Sequence, residues 1–105
     1  MKLKEGFTLD ELQAYIKRFD YTPENRSHYF YKLIEEVGEL SDAMRKGLRM
    51  TNTGTIKGTV EEELYDVLYY VAAIANLYDI RLEECALKKE EINIAKFANK
   101  RTSLS

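Results

Sequence analysis

The stretch FYKLIEEVGELSDAMRKGL, from Phe30 to Leu48, decides how this chain is read. Its apolar residues Phe30, Leu33, Ile34, Val37, Leu40, Met44 and Leu48 recur at three- and four-residue steps, the period of an amphipathic helix. Inside the helix the acids Glu35, Glu36 and Glu39 form a short cluster, and a second cluster, Glu62, Glu63 and Asp66, stands on another helical segment. Carboxylates three residues apart share a helix face. Crowding like charges there is unfavourable unless something positive sits between them. Both clusters are flanked by apolar residues rather than by alternating lysines, which makes them the chain's strongest sign of chemistry.

Working outward, Thr22-Pro23 opens this helix, with threonine as cap and proline at the first helical position, where its missing N–H costs nothing. The helix is expected to reach about Arg49. Gly38 within it costs up to about 1 kcal/mol against alanine. Either a close approach of another backbone or ligand, or simply a weakened helix, accounts for it. Upstream, Thr8-Leu9-Asp10-Glu11 has the capping-box pattern, and a first helix from about Leu9 to Phe19 buries Leu9, Leu12, Ile16 and Phe19. Downstream, Met50 to Gly58 has no apolar period and reads as a loop. Thr59-Val60-Glu61-Glu62 repeats the capping box and opens a third helix, whose buried stripe is Val60, Leu64, Val67, Leu68, Val71, Ile74, Ala75 and Tyr78. Tyr78 to Arg81 breaks that pattern, and a fourth helix runs from about Leu82 to Ala98. The polar tail from Arg101 to Ser105 is expected to fray. The expectation is a single all-α domain over residues 1–105, an antiparallel four-helix bundle.

The bulk properties agree with a globular protein. At 105 residues the chain buries roughly two thirds of its unfolded surface. A net charge of −2 argues against a general nucleic-acid binder. Cys85 is the single cysteine, so no intrachain disulfide can form and a reducing compartment, the cytoplasm, is expected. No run approaches the roughly 18 apolar residues of a membrane span, and no signal-peptide core is found.

At about 100° per residue, Glu36 and Glu39 lie roughly 100° and 160° to one side of the second helix's stripe. On the third helix Glu63 and Asp66 lie roughly 80° and 140° to the same side. Two antiparallel helices packed by their stripes keep matching flanks together, so these four carboxylates are expected to converge along one edge. One histidine and one cysteine offer no zinc set. Hard oxygen ligands suit Mg²⁺, or Mn²⁺, with water and phosphate filling the remaining positions.

The segment Leu33 to Leu40, followed by Glu62 to Leu68, resembles the MazG-like members of the all-α nucleoside triphosphate pyrophosphohydrolases. The resemblance rests on EExxE at Glu35-Glu36-Val37-Gly38-Glu39 and ExxD at Glu63-Leu64-Tyr65-Asp66. It implies Glu36, Glu39, Glu63 and Asp66 as Mg²⁺ ligands, with Glu35 a ligand or the group orienting the attacking water. Glu35, Glu36 and Glu39 are thereby the catalytic candidates. It further implies cleavage of the α–β phosphoanhydride of a nucleoside triphosphate to monophosphate and pyrophosphate, in a homodimer or homotetramer whose neighbouring subunits complete the pocket.

Lys89, Asn93 and Lys96 share one face of the last helix and are assigned to phosphate or sugar, with a solvated polar face as the alternative. Arg45, Lys46, Arg49 and Lys57 read as surface charges with phosphate contact as the alternative. Relatives that sandwich the base between tryptophans have no counterpart here, because the chain has none. Tyr70 and Tyr29, beside the acids, are the candidates to stack on it. His28 reads as a bystander. Two other functions compete: a non-catalytic helical interaction module that docks a basic partner on its acidic edge, and a phosphoribosyl-ATP pyrophosphohydrolase.

Overall fold

The computed structural model describes residues 2–98 and is built of helices. Helix α1 spans Leu9–Phe19, α2 Arg26–Lys46, α3 Met50–Thr53, α4 Val60–Leu77 and α5 Leu82–Lys96. The all-α expectation holds. The tail from Arg101 onward lies outside the described residues.

Both ends of the first helix behave as its sequence dictates. Glu11 N–H donates to Thr8 Oγ1 at 3.1 Å and Thr8 N–H to Glu11 Oε1 at 2.9 Å, a complete capping box. Pro23–Asn25 instead forms a separate 3-10 turn, and Thr22 makes no side-chain cap, so α2 begins at Arg26 rather than at Pro23. Helix α2 also stops early. Gly47 takes φ +65°, a left-handed conformation that a glycine adopts without strain, and its N–H closes on Met44 O at 3.1 Å. The expected loop contains the one-turn α3, held where Asn52 Oδ1 accepts from Arg49 N–H at 3.1 Å. At the start of α4 only half of the second capping box forms. Thr59 Oγ1 accepts from Glu62 N–H at 3.3 Å, but Glu62 Oε1 takes the N–H of Gly58 at 2.8 Å instead of that of Thr59.

Helices α2 and α4 pack antiparallel. Val60 N–H donates to Leu48 O (2.8 Å) at one end of the pair, and Arg26 lies over the Tyr78 ring, 4.6 Å from its centroid, at the other. Helix α1 packs on α4, and α5 rests on α1. The core is Leu12, Ile16, Tyr29, Ala72, Ala73 and Leu77. The fully buried alanines let the helices approach closely, since interaxial distance is set by the side chains at the contact. Gln13 stitches the last turn into place: it donates to Ile80 O (2.7 Å) and Asn76 Oδ1 (3.1 Å) and accepts from Leu82 N–H (2.9 Å).

The stripes expected to be buried turn out largely exposed. On α2, Phe30, Ile34, Val37 and Met44 face outward, and the inward residues are Tyr29, Glu36 and Ala43. On α4, Leu64, Leu68 and Val71, with Tyr78 just past its end, are exposed, while Ala75 of the expected stripe is buried together with Glu63, Ala72, Ala73, Asn76 and Leu77. Phe19 of α1 is exposed as well. These helices are apolar on more than one face, and the chain's own small core uses only one of them. The radius of gyration, 16.5 Å, exceeds the roughly 13 Å of a closed domain this long. Among the described residues no helix is long and apolar enough to cross a membrane.

Candidate active site

The inward turn of α2 puts the acids in the α2–α4 seam rather than along its edge. Glu36 and Glu63 are 9% and 5% exposed, buried further than charge alone tolerates. Glu36, Glu39 and Glu63 each bring a carboxylate oxygen to within 4.8 Å of the others, and so do Glu62, Glu63 and Asp66. Glu63 belongs to both groups and stands at the centre. The expected convergence of Glu36, Glu39, Glu63 and Asp66 is therefore present, with Glu62 added.

Among the described residues, two buried oxygens, Glu36 Oε2 and Glu63 Oε2, have no hydrogen-bond partner. Orphaned buried carboxylate oxygens are costly and call for a positive partner. Burial first, then the neighbouring Glu36 and Glu39, pushes Glu63 up to about 8. Glu36 is raised chiefly by burial, with the nearby charges of Glu39 and Asp66 adding to it. Asp66 is raised by burial and by Glu62 and Glu39, with Lys57 opposing. Such a cluster of oxygen donors can hold a divalent cation.

Glu35 does not join the cluster. It points to solvent and pairs with Lys32 at 3.1 Å. Lys32 is the cation that sequence reading passed over: its charge is felt at Tyr70 and Glu36, and its place four residues before Glu36 was the available signal.

Beside the acids an open cleft of about 450 Å³ is lined by Tyr15, Glu36, Tyr65, Asp66, Tyr69 and Tyr70. Tyr70 lines this cleft, and Tyr15 and Tyr65 join it, one contributed by a helix whose role the sequence left open. Tyr29 is a correction. It is 2% exposed, donates its hydroxyl to Asp20 Oδ1 at 2.7 Å and accepts from Thr22 N–H at 3.0 Å, so it is a core residue with no face for a base. Tyr69 donates to the other oxygen of Asp20 at 2.7 Å.

Lys89 and Lys96 are exposed and Asn93 half-buried on α5, which rests on α1 rather than on the seam. Asn93 Nδ2 donates to Glu90 at 2.9 Å and Lys96 Nζ sits 5.2 Å from the Phe97 ring centroid. Within one chain these three are not brought to the acids. Arg45 and Lys46 pair with Asp42, and Arg49 pairs with Glu61, as surface charges do. His28 is exposed, edge-on to Tyr29. Among the described residues nothing lies within 4 Å of where a Gly38 Cβ would sit, so none of them explains it.

Comparison with known proteins gives the family. The profile of the MazG nucleotide pyrophosphohydrolase domain matches residues 24–99. Crystal structures of iMazG from Vibrio DAT 722 are similar at 54% identity. The N-tagged form matches with a TM-score of 0.79, covering 86% of this chain and 97% of that one. A C-tagged form matches with a TM-score of 0.76, covering 83% and 98%. No curated protein matches the chain. A two-part acidic motif folded into one buried seam, a matching profile over most of the chain and solved relatives at this identity lead to one conclusion: the chain belongs to the MazG nucleotide pyrophosphohydrolase family.

Proposed function

We propose that the protein is a Mg²⁺-dependent pyrophosphohydrolase, able to use Mn²⁺, that cleaves the α–β phosphoanhydride of (deoxy)nucleoside triphosphates. Its products are the monophosphate and pyrophosphate, and its role is the removal of excess or non-canonical nucleotides in the cytoplasm. One observation carries this reading: the two unpartnered oxygens of Glu36 and Glu63, buried in the same seam among further acids.

In this reading Glu36, Glu39, Glu63 and Asp66 hold the ion. When bound, the cation supplies neutralisation of the phosphate oxygens and an acidified water. The chain's own groups do the rest. Tyr70, with Tyr65 and Tyr15 in the same cleft, gives the base an aromatic wall. Glu35, at the solvent side of the motif, orients water once Lys32 releases it. Lys89, Asn93 and Lys96 serve a neighbouring subunit's pocket. A homodimer or homotetramer is supported by the exposed apolar residues of α2, α4 and α5 and by the open shape of the single chain.

A panel of NTPs and dNTPs with Mg²⁺, read out as pyrophosphate release, tests the proposal. Release from at least one of them, abolished in a Glu39→Ala, Asp66→Ala double variant, is expected. No release from any, or full activity in that variant, refutes it.

A further inference from the structure

We propose that the recess between the N-terminal arm and α1 is a phosphate-binding subsite held by Lys2, Lys4 and Arg18. This recess, of about 330 Å³, is lined by Leu3, Ala14 and Tyr15 together with those three cations. The arm is built rather than loose. Leu3 packs against the core, and Phe7 N–H closes on Lys4 O at 3.2 Å through a turn in which Gly6 takes φ +80°. Anchoring Leu3 fixes where its flanking lysines emerge. The single acid in the lining, Glu11, already accepts the Thr8 N–H in the capping box of α1.

Among the described lysines and arginines, most have an anionic or aromatic partner. Six are ion-paired, three lie over rings and Lys57 acts on Asp66. Only Lys2, Lys4, Arg18 and Lys89 remain without one, and three of these four line the same recess. Gathering unpaired like charges is unfavourable unless an anion joins them. Arginine and lysine are donors only, and phosphate is the anion whose several acceptor oxygens they jointly satisfy.

Tyr15 lines both this recess and the cleft that contains Glu36 and Asp66. Acids and cations thus meet across one tyrosine. The phosphate therefore has two sources, the distal phosphates of a nucleotide bound in the cleft or a separate phosphate compound. Only the first source rests on the pyrophosphohydrolase reading. The recess lies ahead of residue 24, where the family profile begins, so the profile match does not supply it.

Titration calorimetry with inorganic pyrophosphate, without divalent cation, compares the intact chain with a Lys4→Gln, Arg18→Gln double variant. Both positions are exposed, and a melt confirms that the variant folds. Losing two charge-assisted contacts is expected to weaken pyrophosphate binding by at least about tenfold. Equal binding by both proteins, or by neither, overturns the proposal. A second arm uses Mg²⁺ with an α,β-methylene nucleoside triphosphate and with the monophosphate. Weaker triphosphate binding with unchanged monophosphate binding identifies the distal phosphates as occupant, whereas unchanged binding of both identifies a separate compound. Because the pyrophosphate arm measures no turnover, its failure leaves the hydrolase reading standing. An inactive protein that still binds pyrophosphate through these residues removes only the hydrolase reading.

Discussion

Replacing Glu63 by glutamine should stabilise the cation-free protein at alkaline pH. An unfolded glutamate titrates near 4.5, whereas Glu63 in the fold is raised to about 8, by burial first and by Glu36 and Glu39 next. Between those values the folded chain binds a proton that the unfolded chain does not. Stability is therefore fully present below about pH 4.5, falls as pH rises through the window and levels off above about pH 8. The whole displacement corresponds to about 5 kcal/mol. Because an open cleft lined by Glu36 and Asp66 lies beside the seam, solvent screening leaves about 2 kcal/mol. Glutamine carries no charge to desolvate and offers N–H to the orphaned Glu36 Oε2. For a domain of this length the gain is about 10 °C in melting temperature. Melts followed by circular dichroism across the window, with and without Mg²⁺, measure it. The intact protein should lose stability toward alkaline pH and regain it with Mg²⁺, by about 2.7 kcal/mol at a hundred times Kd. The variant should show a weaker response to each, because Asp66 is still raised by burial and by Glu62 and Glu39. A flat pH profile for the intact chain, or a variant less stable than it at alkaline pH without cation, would refute the reasoning.

Three further predictions follow from the same geometry. Asp66→Asn keeps the shape of the seam but removes a ligand charge, so turnover should fall at least about 100-fold with the melt in the absence of cation unchanged or raised, and a Mg²⁺ titration should show weaker binding. Tyr29→Phe removes a hydroxyl shared between Asp20 and the Thr22 N–H, and should cost about 1–2 kcal/mol in a denaturant titration with KM unchanged, whereas Tyr70→Ala should raise KM. Gln13→Ala strands Ile80 O, Leu82 N–H and Asn76 Oδ1 at the α4–α5 turn, and a loss of about 3 kcal/mol in the same titration is expected.

The helices were legible because their ends are local chemistry. Thr8 and Glu11 close a cap with no help from elsewhere, and Pro23 restricts its own backbone. Even so, the 3-10 turn at Pro23–Asn25 and the early stop at Lys46 show that a cap residue marks a boundary only to within a turn. The acids were legible for a similar reason, because spacing on a helix makes Glu36 and Glu39, or Glu63 and Asp66, neighbours before any tertiary contact exists.

Which face of a helix turns inward is not local. Helices α2 and α4 each carry apolar residues on more than one side, and periodicity alone chose the side with Ile34, Val37 and Leu68. The fold chose the side with Tyr29, Glu36 and Ala43, because the small Ala72 and Ala73 let α1 and α2 close on α4 there. That choice turned Glu36 and Glu63 from rim charges into buried, unpartnered ones, and made Tyr29 a core residue while leaving Tyr70 in the cleft. It also laid the N-terminal arm against Tyr15, a juxtaposition that no spacing encodes. Composition and spacing determined the helices and the acid set by themselves. Burial, and with it the energetic demand for a cation, arose only when three helices competed for one small core.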